Sequence, residues 1–120
     1  MIISNKEKGD LGEGFAIEYL KKKNIKILDK NFRIRTGEID IIGVDKNILV
    51  FYEVKTRTNY HFGLPCEAVN LAKKKNIKKL AEFYILKNNY FQYDIRFDVV
   101  EIYLDKNAKF KKIEWIKNAF

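Results

Sequence analysis

Two apolar runs rich in Ile and Val, Gly37–Val44 and Ile48–Lys55, flank the turn-like triplet Asp45-Lys46-Asn47. Such runs, bounded by turn residues, read as strands, and so short a connection makes them an antiparallel hairpin. Hairpin geometry fixes more than the element type. Paired residues share one constant sum of residue numbers. A two-residue turn at Lys46-Asn47 therefore sets Asp45 opposite Ile48, Asp40 opposite Glu53 and Glu38 opposite Lys55. A three-residue turn breaks that match. Directly opposed side chains have Cβ atoms ~5 Å apart. Successive strand residues alternate faces, so Glu53 and Lys55 point the same way.

The flanking segments supply the rest of a domain. Ser4 with Glu7 three residues later is a capping-box pattern, opening a helix that runs to about Lys23 and stops near Asn24. At ~100° per residue, Phe15, Ala16, Ile17, Tyr19 and Leu20 fill one apolar arc, with Glu18 opposite in water. Glu13 falls inside that arc, where a carboxylate needs a partner or a metal. Ile25–Leu28, continuing through Phe32 and Ile34, reads as a first strand. A long helix fits Glu67 to about Lys87, with Ala68, Val69, Ala72, Leu80, Ala81 and Tyr84 inward and the Asn88-Asn89 pair ending it. Asp94–Leu104 alternates as a strand, and Ile113–Ile116 as a short edge strand. The expected fold is α/β, order αβββαβ plus a short C-terminal strand, with a mixed sheet flanked by helices.

Composition narrows the class. At 120 residues, 47% hydrophobic and 14% aromatic, the chain suits one domain spanning 1–120 with a real core. One His and one Cys, His61 and Cys66, cannot build a four-ligand zinc site or an intrachain disulfide. A lone Cys suits a reducing compartment. No run approaches the roughly 18 apolar residues of a membrane span. Charge at Lys6 interrupts any signal-peptide core, so the chain is expected to start at Met1 in the cytoplasm. The net charge of +8, spread over both halves, makes nucleic acid the leading partner class. A Lys-rich composition with no binding partner is the competing explanation.

Two opposed carboxylates repel unless a cation lies between them. Mg²⁺ prefers hard oxygen ligands and typically takes one or two carboxylates with waters and phosphate oxygens. A lysine beside such a pair places positive charge near an attacking water or a scissile phosphate. Asp40, Glu53 and Lys55 thus point to phosphodiester hydrolysis with Mg²⁺ or Mn²⁺, and Glu13 to a further ligand. A bare acid-x-Lys triplet is weak, since this composition yields roughly three by chance. Context adds weight: this one ends an apolar strand across a hairpin from Asp40. The alternative is a cross-strand salt bridge of Lys55 with Glu38 or Asp40.

Asp40 … Glu53-Val54-Lys55 resembles the core motif of the PD-(D/E)xK restriction-endonuclease-like superfamily. The wider pattern is similar to the YraN-like family of predicted endonucleases, related in fold to archaeal Holliday-junction resolvases. It runs Gly9 … Gly12-Glu13 … Ala16 … Tyr19-Leu20, Asn31-Phe32-Arg33, Gly37-Glu38-Ile39-Asp40, Glu53-Val54-Lys55-Thr56-Arg57, Lys73, Arg96-Phe97-Asp98-Val99-Val100 and Trp115-Ile116-Lys117-Asn118-Ala119-Phe120. The resemblance implies a restriction-endonuclease-like sheet. It implies Asp40, Glu53 and the Val54 carbonyl as metal ligands, Lys55 as the catalytic lysine, and Glu13 as the helix-one glutamate that completes some resolvase sites. Ile39 stands where the superfamily motif has Pro. The implied activity is a DNA endonuclease acting on branched or structured DNA. A non-catalytic nucleic-acid-binding module on the same fold is the alternative.

Other residues divide between function and structure. Arg57 either clamps a phosphate or forms a surface salt bridge. Arg33 and Arg35 are either DNA contacts or edge charges that discourage sheet pairing. Lys73 matches the family pattern and points at the site from the second helix. The neighbouring lysines form a solvated, phosphate-attracting face. Glu38 is a Lys55 partner or supports the site from behind. Arg96 and Asp98 share a strand face and pair with each other. Gly63-Leu64-Pro65 reads as a turn, and Arg57–Pro65 as a loop over the site; His61 and Cys66 lie in a loop-like stretch and are not expected to carry chemistry. Trp115 and Phe120 read as packing or a dimer contact. One small domain covers little DNA, and a homodimer would place two sites on two strands.

Overall fold

The computed structural model describes residues 4–58 and 71–120. Helix α1 (Asn5–Lys22) opens on the expected capping box: the Glu7 N–H donates to Ser4 Oγ at 3.1 Å, and the Ser4 N–H to Glu7 Oε1 at 3.3 Å. It closes on Asn24, held in the left-handed region at φ 65°. The Asn24 N–H donates to the Lys21 carbonyl and the Ile25 N–H to the Leu20 carbonyl, the two bonds of a Schellman motif. Gly12, Ala16 and Leu20 form the buried stripe of the helix, and Glu18 is exposed.

Strands β1 (Lys26–Ile34), β2 (Gly37–Asp45) and β3 (Ile48–Arg57) follow, then α2 (Leu71–Asn88), β4 (Asp94–Leu104) and β5 (Phe110–Ile116). They form one five-stranded sheet in sequence order, β1-β2-β3-β4-β5. Only the β3–β4 pair is parallel. A parallel pair needs a long crossover, and α2 lies within it. The observed order, αβββαββ, is the expected mixed sheet flanked by helices.

β3 is buried on both faces, which is why it reads as a continuous apolar run. Val50 and Tyr52 join Ala16 and Leu20 of α1 in one core. Leu49 and Phe51 join Ile77, Leu80, Ala81 and Tyr84 of α2 in another. The helices therefore cover opposite faces of the sheet. Leu80, Ala81 and Tyr84 face inward as expected, and Ile77 joins them. Ala72 does not: it is exposed. It lies five residues before Ile77, about 140° around the helix from the buried stripe. The expected helix start at Glu67, inward Ala68 and Val69, the Gly63-Leu64-Pro65 turn, most of the Arg57–Pro65 loop, His61 and Cys66 lie outside the described residues. Among the described residues, no helix is long and apolar enough to cross a membrane.

The C-terminal segment is fastened by one buried acid. Asp98 is fully buried and takes a two-pronged bond from Arg96, with Nε and Nη2 both at 2.9 Å. It also accepts from Trp115 Nε1 at 2.8 Å and from the Asn118 N–H at 2.9 Å. Arg96 reaches on to Asp45 at 2.9 Å. The Ala119 N–H bonds the Phe97 carbonyl, and Phe120 stacks on Phe97. The Arg96–Asp98 pair is thus as the sequence predicts, and Trp115 and Phe120 pack within their own chain. Replacing fully buried Asp98 leaves the half-buried Arg96 guanidinium with Asp45 alone and takes the acceptor from Trp115 Nε1 and the Asn118 N–H. Asp98→Ala should cost about 3–5 kcal/mol in chemical denaturation. It should also speed hydrogen exchange at Asn118 and Ala119 more than at β2 amides.

Candidate active site

The β2–β3 ladder has the predicted register, from Asp45 opposite Ile48 to Ile41 opposite Tyr52. There it stops. β2 continues to Gly37 paired only with β1, while β3 continues to Arg57 paired only with β4. The sheet forks. Asp40 is therefore not the ladder partner of Glu53. Its carboxylate turns across the fork, and Oδ2 accepts the Val54 N–H at 2.8 Å. That bond takes the place of the next rung and holds Asp40 beside Glu53-Val54-Lys55. Glu38 is also not opposite Lys55: it pairs with Arg33, whose Nη2 lies 2.6 Å from Glu38 Oε2.

Strand alternation sends Glu53 and Lys55 to the α2 side of β3. Asp40 and Glu53 are 9% and 6% exposed. Lys73 Nζ, from the first turn of α2, lies 2.5 Å from Glu53 Oε1, and Lys55 Nζ lies 3.4 Å from the same oxygen. Two ammonium groups thus crowd one buried oxygen. Burial, and then the nearby Glu53 charge, pushes the Asp40 carboxyl up to about 7. Burial and then Lys73 pull the Lys55 ammonium below its usual range, against the attraction of Glu53. Burial also opposes the charge on Lys73, but Glu53, Lys55 and Asp40 outweigh it and raise its pKa.

Glu13 approaches the fork from the opposite face, on α1. A pocket of about 240 Å³ is lined there by Lys8, Glu13, Val54, Lys55 and Thr56. A second, of about 500 Å³, shares Gly9 and Glu13 and extends toward Asn31, Arg33 and Glu38. Burial raises the Glu13 pKa, and a hydrogen bond with Asn31 opposes the shift. Among the described residues, no three His, Cys, Asp or Glu side chains converge closely enough to hold a metal ion. Glu13 reaches the fork from the α1 side, and its charge adds to the upward shift of the Asp40 pKa after burial and Glu53.

Arg57 sits two residues beyond Lys55, and its Nε donates to fully buried Glu101 at 3.1 Å, an internal salt bridge where a surface one is the expected alternative. Glu101 also accepts from the Tyr103 hydroxyl at 2.7 Å. An acid within the apolar run Val99-Val100-Glu101-Ile102 was the available sign that Arg57 has an internal partner. Arg33 is paired with Glu38 yet largely exposed, and Arg35 is exposed in the β1–β2 turn. Asn31, in the left-handed region at φ 52°, is the neighbour of Glu13 that a strand reading of β1 misses.

The donor set of the fork is buried carboxylate oxygen, the chemistry that hard divalent cations prefer. The lysine ammonium groups already supply positive charge there. In donor chemistry, the buried Asp40 and Glu53 carboxylates fit such an ion.

A sequence model of the uncharacterised protein family UPF0102 matches residues 12–102. A UPF0102 protein of Clostridioides difficile is 50% identical over 118 residues, covering 98% of this chain and all of that protein. Another from Caldanaerobacter subterraneus is 48% identical over 119 residues, and one from Clostridium novyi 48% identical over 116. These cover 98% and 97% of this chain, and the same shares of the relatives. The chain belongs to the UPF0102 family, the family that the YraN-like pattern identifies.

The approach of α1 to the fork depends on Gly12. A Cβ there would overlap Thr56 Oγ1 and meet Thr56 Cβ at 3.0 Å. Gly9, one turn earlier, has nothing within 4 Å of its Cβ position. Gly12→Ala should push α1 off β3 and cost about 1–3 kcal/mol in thermal or urea unfolding. Gly9→Ala should be neutral or stabilising by up to about 1 kcal/mol, since Ala is the better helix former. Equal effects at the two positions would refute the close-approach account.

Proposed function

We propose that this protein is a metal-dependent DNA endonuclease of the PD-(D/E)xK type, with a restriction-endonuclease-like sheet. It hydrolyses phosphodiester bonds, with branched or structured DNA as the substrate class. The observation that carries the reading is the Asp40–Val54 bond. It closes the fork and sets two buried carboxylates and Lys55 at one point of a protein with net charge +8. Asp40, Glu53 and the Val54 carbonyl would hold Mg²⁺ or Mn²⁺. Such an ion, when bound, supplies Lewis-acid stabilisation of charge on phosphate oxygens.

The protein's own groups do the rest. Asp40 is held by a backbone N–H, so its orientation is set before substrate arrives. Lys55, on the same strand as Glu53, places an amine beside the carboxylate pair, where it orients the attacking water and offsets phosphate charge. Lys73 adds a second amine from α2. Arg33, which lines the second pocket, and Arg35, exposed in the β1–β2 turn, attract the phosphate backbone. Arg57 acts through Glu101, fixing the end of β3. Glu38 holds Arg33, and Glu13 lines the pocket on the other face. The single Cys fits action in the cytoplasm, and a homodimer would address two strands.

The net charge alone also fits a non-catalytic nucleic-acid-binding module. The two readings separate in one assay: labelled linear duplex, single strand, flap and four-way junction, with Mn²⁺ at low salt. Wild type should cut, with the junction or flap preferred. Asp40→Ala and Lys55→Ala should each lose about 10²-fold or more. Binding without cutting, unchanged in Asp40→Ala, would establish the module instead. Cutting that survives both substitutions would mean that the activity is not this protein's.

A further inference from the structure

We infer that Lys73 is a built-in counterion of the fork: its ammonium holds the Glu53 oxygen that a divalent cation would take, and the cation binds by displacing it. The inference rests on the cation site of the proposed nuclease. The ground for it is an unequal contest for one atom. Glu53 Oε1 is approached by Lys73 at 2.5 Å and by Lys55 at 3.4 Å. Glu53 is almost wholly buried and Asp40 lies beside it. Leaving such a carboxylate without a counter-charge is costly, so an internal cation is retained while no external one is present.

Lys73 is built to leave as well as to hold. Its side chain is 38% exposed, against 22% for Lys55. It sits on a flexible four-carbon stem at the start of α2, and the ammonium can return to water when displaced. Lys55 is fixed on β3 and more enclosed. A divalent ion shared by Asp40 and Glu53 competes with Lys73 for the same oxygen, so each weakens the binding of the other. The released ammonium stays within a side-chain length of Glu53, beside the phosphate of an arriving strand. One residue thus keeps the empty site neutralised and adds positive charge when the site is loaded.

This predicts a direction that a merely structural lysine would not give. Removing it should tighten metal binding. Mn²⁺ affinity of the whole chain can be measured from the loss of the free-ion electron paramagnetic resonance signal. Wild type, Lys73→Met, Lys73→Arg and Asp40→Ala would be compared, each confirmed folded by circular dichroism. Lys73→Met should bind about tenfold more tightly, the size expected for releasing one charged hydrogen bond. Lys73→Arg, which keeps the charge, should stay near wild type, and Asp40→Ala should lose binding. If Lys73→Met does not fold, Lys73→Gln makes the same comparison. Asp40-dependent binding that is equal or weaker in the neutral variant overturns the counterion role and leaves the nuclease reading standing. Binding that is absent in wild type, or indifferent to Asp40→Ala, overturns the cation site and the inference with it.

Discussion

Where β2 and β3 part, a backbone N–H that should have entered the ladder is left to find another acceptor. A buried N–H without a partner is costly. Asp40 supplies the acceptor, and in doing so brings a carboxylate into an enclosed region already holding Glu53. That placement is unfavourable for the acid, as the raised Asp40 pKa shows. Most of the local arrangement answers it. Lys73 and Lys55 neutralise Glu53, and Glu101 draws Arg57 to the far end of β3. The fork is a break in hydrogen bonding whose repair creates the charge cluster.

The break is tolerated because the sheet is anchored on either side of it. β2 stays paired to β1 down to Gly37, and β3 stays paired to β4 out to Arg57. Each face of the sheet is also backed by a helix, and both helix cores take in residues of β2 and β3. Asp98 does for the β4–β5 half what the two helix cores do elsewhere. The bonds it accepts tie strand β4, the side chain of Trp115 and the last backbone turn to one oxygen pair. The family pattern that includes Arg96-Phe97-Asp98 and Trp115 … Phe120 is therefore a structural clamp at some distance in sequence from the fork.

Much of this was legible beforehand. Capping residues marked α1, and β-branched runs marked the strands. The register of the hairpin followed from a two-residue turn. What the pattern could not show was the point at which pairing ends. Strand propensity of Gly37–Asp40 and Glu53–Arg57 is the same whether or not they pair with each other. The difference lies in a side-chain-to-backbone bond, which no periodicity records. For the same reason Glu38 was open to pairing with Lys55, when its true neighbour across β1 is Arg33. Arg57 looked available because Glu101 is more than forty residues away in sequence. Lys73 was placed near the site only through the family pattern, since nothing in a lysine-rich helix singles out one lysine.

Glu13 and Lys73 reach the fork from helices that belong to different cores, with the sheet between them. Proteins open by parts, and a helix can detach from its face while the remainder stays closed. Here, loss of α2 would remove Lys73 and leave Glu53 with less counter-charge, and loss of α1 would strip Glu13 from the pocket. Neither partly opened form retains the full set of charges. The constellation is therefore a property of the intact tertiary structure alone, and it vanishes in every subglobal excursion that frees either helix.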